Sequence, residues 1–536
     1  MSSRRALASY VRGWWRLERA GAGVWDRVRL ALCLVLLAAA AIRLTGLADV
    51  PPGLYCDEAS TGYDAWSLAL TGRDQYGEMF PLFARSFGDY NEASYRYLAA
   101  PIIAALGPTV MAVRLPAALA GTALVGLLYV LGGQLFSRRA GLVAAALGAT
   151  SPWLVLFSRV GFRGILLPLA LSAAVALFLS AVRRRRSLLP AALLFSLALW
   201  TYTPARLLVP AVVVLCAALH ARSLRLHARH LGSAAALFCL VLSGLATFWF
   251  SEDGMARTSA ELRDSLELGP LRDDLLAYLS PAFLFERGDA NLRHSMPEWG
   301  LLLPFEWLTV AWGVGAFVRA PSRAGALVLG WVVLGVLPAA LTAEGHALRA
   351  VGAAPAFTLL SAAGVDALLS SVRRPLWRRT LAFGLAAAVA VFGYAAVWRT
   401  MHGEYRETSP AHWQWGMREG VAALEASHRS CRVVSAGLFL PHIFILFHGR
   451  VPPAHYQAQP LTQISQENMR YSRFDLAPWH VAPLSSAAAE HAGCVFLGGA
   501  AEVEGLAVPG LRVTERLIGP DGVHHLTVFV VDAATP

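Results

Sequence analysis

Apolar runs of membrane-spanning length recur along the chain from residue 29 to about residue 398 and then stop. The first, 29–47, is long enough to cross a hydrocarbon core as a helix. Ten more are read near 109–135, 140–157, 164–182, 188–204, 206–220, 231–250, 301–318, 324–342, 351–371 and 380–398, which makes about eleven spans. Arginines punctuate them at 138–139, 183–186, 222–230, 319–323 and 373–379. Short basic loops stay on the cytoplasmic side, so these clusters set the orientation. Residues 1–28 are rich in Arg and carry Trp14, Trp15 and Trp25, as a cytoplasmic amphipathic segment at the interface would. An odd number of spans then puts residues 401–536 on the outer side.

Two further stretches fall outside. The first outer loop, 48–108, contains a stretch at 59–70 whose Tyr63, Trp66 and Leu70 recur at helical spacing, predicting a helix lying in the interface. Residues 97–106 predict a second surface helix, because Pro101 and the short length disfavour a span. The second outer stretch is 251–300. Past residue 400 the pattern changes: helices are expected at 410–426 and 441–448, and strands at 432–436, 495–497, 511–516 and 526–531. The fold class is a polytopic α-helical membrane protein, 29–400, with a C-terminal soluble α/β domain, 401–536.

Composition agrees with this division. Of 536 residues, 56% are hydrophobic and 15% charged, which excludes a soluble globular chain. The net charge is +11, yet much of it sits in topology-setting loops, so it is no argument for nucleic acid as a partner. All 46 basic residues are Arg. Every cationic contact is therefore a planar fork suited to phosphate. Cys33, Cys216 and Cys239 lie in apolar runs, whereas Cys431 and Cys494 share the tail and form a candidate disulfide if that tail faces an oxidising compartment. No spacing of Cys and His suggests zinc.

Chemistry concentrates on the outer side. A Pro51-Pro52-Gly53 turn ends the first run and delivers Asp57-Glu58 at the membrane surface, where charge is costly and suggests a job. Arginine at the outer ends of spans runs against the orientation rule: Arg159 and Arg163, Arg206, and Arg349 in Gly345-His346-Ala347-Leu348-Arg349, with Arg293-His294 in the longer loop. Cations facing carboxylates suit an anionic substrate held against a general base. His294 and His346 are candidates for phosphate or acceptor contacts, Asp289 and Glu344 for weaker ones, and Tyr202 for stacking on a sugar.

The order of these pieces resembles a family. Asp57-Glu58 is followed by Gly88-Asp89-Tyr90-Asn91, Tyr95-Arg96-Tyr97-Leu98, Val113-Arg114-Leu115-Pro116, Ser151-Pro152-Trp153, Ser158-Arg159-Val160-Gly161-Phe162-Arg163 and His346-Ala347-Leu348-Arg349. The pattern is similar to the GT-C membrane glycosyltransferases of the protein O-mannosyltransferase and aminoarabinose lipid A transferase group. The resemblance covers about 1–400 and implies inverting transfer of a hexose or pentose from a polyprenyl-phosphate donor to a hydroxyl acceptor, at the outer face of a bacterial cytoplasmic membrane. It implies Asp57 as catalytic acid-base, with Glu58 as its neighbour and Asp89 as the second loop acid. Arg96, Arg159, Arg163, Arg206, Arg293, His294, His346 and Arg349 would bind the donor phosphate, and Tyr63, Asn91, Glu92 and Tyr202 would contact sugar or acceptor. Two departures stand out. Asn91-Glu92-Ala93-Ser94 replaces a His- or Lys-Pro-Pro run, so Arg must serve for the phosphate-binding Lys, and Gly164-Ile165 replaces an acid after Arg163. The second favours a metal-free mechanism with no cofactor. The competing reading is a transporter or lipid flippase for an anionic substrate, which would place its charges near mid-membrane in repeated halves.

Overall fold

The structure, a computed structural model, describes residues 22–225, 228–255, 268–342, 346–458, 474–491 and 493–532. Most of the expected interfacial segment 1–28, and Glu344, lie outside the described residues. Helix α1 spans Ala22–Leu44. After the Pro-Pro-Gly turn comes α2, Cys56–Thr71, which Gly72 ends in the left-handed conformation that glycine adopts without strain.

A hairpin follows, strand β1 (Phe83–Ser86) against β2 (Asp89–Glu92), with Ser86 opposite Asp89 and Phe83 opposite Glu92. Its two-residue turn, Phe87-Gly88, takes positive φ at both positions, the geometry that matches strand twist. This register fixes where Asp89, Asn91 and Glu92 stand. Helix α3 covers Ser94–Leu106, so the helix expected at 97–106 is present and starts three residues earlier. Helix α4, Val110–Leu135, begins with Thr109 accepting the Ala112 N–H and carries Arg114 in its first turns.

Seven helices among the described residues are long and apolar enough to cross a membrane, against about eleven expected. They correspond to the runs near 109–135, 164–182, 206–220, 231–250, 324–342, 351–371 and 380–398. The other four differ for local reasons. The run at 140–157 breaks at Ser151-Pro152, where Ser151 caps a new helix, Pro152–Phe157. The run at 188–204 gives eleven helical residues, Leu189–Leu199, before a turn. The run at 301–318 becomes helix only from Glu306. Helix α1 carries Arg27, Arg29 and Arg43, and Arg43 is buried against the Ala39, Gly148 and Ala149 carbonyls.

The tail is an α/β unit. Its six-stranded sheet is built from β3 (Arg432–Ser435), β4 (Phe474–Leu476), β5 (Trp479–Ala482), β6 (Val495–Gly499), β7 (Leu511–Ile518) and β8 (His524–Val531). The order is β4-β5-β3-β6-β8-β7, parallel across β5-β3-β6 and antiparallel elsewhere. The sheet thus includes two strands, β4 and β5, that the sequence reading left out. Cys431 and Cys494 are disulfide-bonded, each one residue before a strand, in the register that pairs Arg432 with Val495. The expected helix 410–426 is divided: Gln414 and Gly416 take positive φ, and the regular helix starts at Met417.

Helix α2 is largely covered by protein. Its Tyr63 is fully buried, and only Asp57, Ala69 and Leu70 of its sixteen residues are exposed. The tail covers it. A Cβ on Gly62 would stand 2.6 Å from the Phe447 ring, so glycine is what admits the tail helix Pro441–His448 this closely.

Candidate active site

The first turn of α2 divides its two acids. Asp57 is exposed, while Glu58 is sealed. Glu58 receives Arg114 Nε at 2.9 Å and Nη2 at 3.0 Å, and the backbone N–H of Gly161 at 2.7 Å and of Tyr55 at 3.3 Å. Arg114 also donates to the Leu47, Pro51 and Gly53 carbonyls, tying the Pro-Pro-Gly turn to α4. A buried carboxylate with this many donors is an anchor, so Glu58 supports the turn that carries Asp57.

The segment after Gly161 leads to a second group. The Phe162 ring meets Tyr55 edge-on, with centroids 6.3 Å apart. Arg163 then reaches Glu92, Nε to Oε2 at 3.1 Å, and Arg206 reaches the same carboxylate at 3.4 Å. Glu92 is fully buried and also accepts from Thr203. Arg163 sits over the Tyr202 ring at 5.3 Å, and its buried Nη2 has no partner among the described residues. Glu92 is the anion that gathers these two cations, and Asp89 adds a second negative charge within electrostatic reach of Arg206. Asp89, at the head of β2, is half-buried and accepts the Tyr90 N–H.

A third group closes the region. Arg293 lies 4.0 Å from the Tyr55 ring, one residue before Cys56-Asp57. Its neighbour His294 gives Nδ1 to Asp289 at 3.1 Å and stacks on His346 at 3.8 Å. Asp289 also accepts the N–H groups of Asn291 and Ala347. Burial pushes the Asp289 carboxyl up, but His294 and those N–H groups hold it below the usual range. Burial pushes His294 down, against the pull of Asp289 and helped by Arg293 and Arg349. An ionised Asp289 fixes the ring proton of His294 on Nδ1 and leaves Nε2 as an acceptor. Asp289, His294 and His346 each offer a ligand atom within 4.8 Å of the others, a grouping that could hold a metal ion. The turn at 346–349 adjoins the second group: a Cβ on Gly164 would stand 2.6 Å from Leu348 and 3.7 Å from Tyr202.

With that geometry in hand, comparison is informative. Residues 94–243 match the family described as dolichyl-phosphate-mannose-protein mannosyltransferase. The structure of ArnT from Cupriavidus metallidurans bound to undecaprenyl phosphate is similar over 96% of this chain and 99% of that one, with a TM-score of 0.62 and 13% identity. Its apo form gives 0.61 at 14% identity, over 95% and 98% of the two chains. The Archaeoglobus fulgidus oligosaccharyltransferase in its apo form gives 0.51 at 13% identity, over 78% of this chain and 63% of that one. The chain shares its fold, of GT-C type, with these ArnT structures. No curated protein matches it by sequence.

Within this GT-C fold four further expected site residues have partners in the chain. Arg159 is fully buried and spends its guanidinium on the carbonyls of Ile42, Gly46 and Val50, at and just beyond the end of α1, so its donors are committed to the chain. Arg96 is buried against Asp64 at 2.6 Å and donates to Asn91 as a further partner for its guanidinium, so the two side chains are held by each other within the first outer loop. Tyr63 gives its hydroxyl to the Val451 carbonyl and faces the tail. Arg114 and Gln414 were not foreseen as site residues. The one available signal was Arg114 itself, a charge in an apolar run that requires a buried carboxylate.

Proposed function

We propose that this chain is an inverting glycosyltransferase that moves a sugar from a polyprenyl-phosphate donor to a hydroxyl acceptor, at the outer face of its membrane, with Asp57 as general base. One observation carries the reading: within a single helical turn Asp57 is exposed, while Glu58 beside it is locked by four N–H donors. In the proposed step the acceptor hydroxyl hydrogen-bonds to Asp57, and its oxygen attacks the anomeric carbon as the bond to phosphate breaks. The hydroxyl proton passes to Asp57. Charge developing on the leaving phosphate falls beside Arg163, Arg206 and Arg293. Attack opposite the leaving group inverts the anomeric centre, and no metal is required.

The ArnT structure contains undecaprenyl phosphate and the matched family is described by dolichyl-phosphate-mannose, which supports a polyprenyl-phosphate donor. The Cys431–Cys494 disulfide supports an oxidising, extracytoplasmic tail, and the likeness to bacterial members supports the cytoplasmic membrane. The acceptor is a protein Ser/Thr, a glycolipid or a cell-surface glycan.

Membranes containing the chain are incubated with a panel of radiolabelled polyprenyl-phosphate sugars, and label reaching endogenous acceptors is separated by extraction class. Asp57→Asn is expected to lower transfer by roughly 10²–10⁴-fold, the contribution of a positioned base. Full transfer by that variant would remove Asp57 from the role. Lipid flipping in vesicles without sugar transfer would favour the transporter reading.

A further inference from the structure

The tail holds the turn that carries Asp57 through one side chain. Gln414 Oε1 accepts the Cys56 N–H at 2.9 Å, while its Nε2 donates to the Phe439 carbonyl at 2.8 Å. Cys56 is the first residue of α2 and the immediate neighbour of Asp57. The amide orientation is fixed by its partners, since a backbone N–H can only donate and a carbonyl can only accept. Gln414 itself is held in the left-handed region at φ 50, directly after Trp413, whose indole donates to the Tyr405 hydroxyl. That hydroxyl in turn donates to the Leu292 carbonyl, next to Arg293. Nearby the same strand of chain presses on the Pro-Pro-Gly turn: a Cβ on Gly53 would fall 2.5 Å from the Trp413 carbonyl. Farther along α2, Gln457 Nε2 donates to Ser67 Oγ and to the Asp74 carbonyl.

We propose that Gln414 is a positioning residue for the general base, so that the C-terminal domain is part of the catalytic unit. The inference rests on the reading of Asp57 given above. Glu58 and Arg114 hold the Asp57 turn from the membrane side, and Gln414 holds it from the tail side. The neutral amide supplies one acceptor and one donor at once. Leucine supplies neither. An ionised glutamate keeps the acceptor but sets a charge against the Phe439 carbonyl, whereas a protonated glutamate restores both bonds.

The test compares wild type, Gln414→Leu, Gln414→Glu and Asp57→Asn in the membrane transfer assay, with the purified full chains also measured for undecaprenyl phosphate binding and melting temperature. Gln414→Leu should lower turnover by about tenfold or more with donor KM within about twofold, because a small misplacement of a reacting group acts on kcat. Its undecaprenyl phosphate affinity should stay near wild type. Gln414→Glu should recover turnover relative to wild type as pH is lowered and its carboxyl protonates, at a melting temperature that stays near wild type throughout, a combination that a purely structural role would not produce. If Gln414→Leu turns over at the wild-type rate while Asp57→Asn is inactive, the inference is overturned alone. A parallel loss of undecaprenyl phosphate binding and thermal stability in Gln414→Leu, without acid recovery of Gln414→Glu, would overturn it as well. Transfer retained by Asp57→Asn would overturn the base assignment and this inference together.

Discussion

Glu58 and Arg114 form a two-pronged ion pair, 2.9 Å and 3.0 Å, in which neither side chain is exposed. The pair joins α2 to α4, fifty-six residues apart in sequence, and Arg114 extends the link to the Leu47 carbonyl and to two carbonyls of the Pro-Pro-Gly turn, those of Pro51 and Gly53. Removing one partner leaves the other charged, buried and unpaired. Arg114→Met is therefore expected to cost on the order of 3–5 kcal/mol and to lower the yield of folded protein, read as the melting temperature in detergent. Asp57→Asn, on an exposed side chain, should melt like wild type. The two acids of one dipeptide thus separate by measurement: one variant loses stability, the other loses transfer. Equal melting of Arg114→Met and wild type would sink the anchor role.

The second prediction concerns the two cations on Glu92. Arg163→Gln leaves the neutral Glu92–Arg206 pair in place, so the protein should fold, but a guanidinium fork is lost from the proposed phosphate position. A hydrogen bond to a charged group is worth about 1.5–3 kcal/mol, which predicts roughly tenfold or greater loss of undecaprenyl phosphate affinity. Glu92→Gln should instead destabilise, because it leaves two arginines side by side without their anion. Unchanged lipid-phosphate binding in Arg163→Gln would exclude that residue from the phosphate site.

What was legible in the sequence follows from which physical signals are local. Asp57 stood out because charge at a membrane surface is unusual, whereas the hairpin holding Glu92, which turns at Phe87 and Gly88, was not read from the sequence. Arg159 was ambiguous because a cation at the outer end of a span looks the same whether its donors serve the chain or a phosphate; only the carbonyls of Ile42, Gly46 and Val50, over a hundred residues away, show where they go. Tyr63 was ambiguous for a related reason. Its spacing with Trp66 marks an apolar face, and spacing does not say whether lipid or the tail covers that face. Gln414 carried no signal at all, since a single polar residue in a loop gains meaning only from its partners at Cys56 and Phe439.

The tail should be acid-sensitive. Burial pushes His442 and His448 down from 6.5 to about 3, with Arg418 adding to the effect at His448. The folded values lie below the unfolded one, so between pH 6.5 and about 3 the unfolded chain binds more protons, and stability falls as pH falls. Each histidine then contributes a slope of about 1 kcal/mol per pH unit within that window. His448→Leu should flatten the dependence of melting temperature on pH between 6.5 and 4, while leaving the neutral-pH value near or above wild type, because a buried ring nitrogen is no longer left unsatisfied. An identical pH slope in that variant would show that His448 is solvated in the folded protein.

The disulfide gives a prediction that tests compartment and stability together. Cys431 and Cys494 are 63 residues apart and join β3 to β6, the central parallel pair of the sheet. Closing a loop of that length restricts the unfolded chain by about 4 kcal/mol in the entropy model. Cys431→Ser should therefore lower the melting temperature of the tail by several degrees, and reductant should do the same to wild type but not to the variant. In protein unfolded directly from membranes, Cys33, Cys56, Cys216 and Cys239 should react with a thiol reagent at once, and Cys431 and Cys494 only after reduction. Six thiols reacting without reductant would mean that the tail matures in a reducing compartment. The outer-face assignment would then fail while the GT-C fold stood, since the fold does not depend on which side of the membrane the sheet occupies.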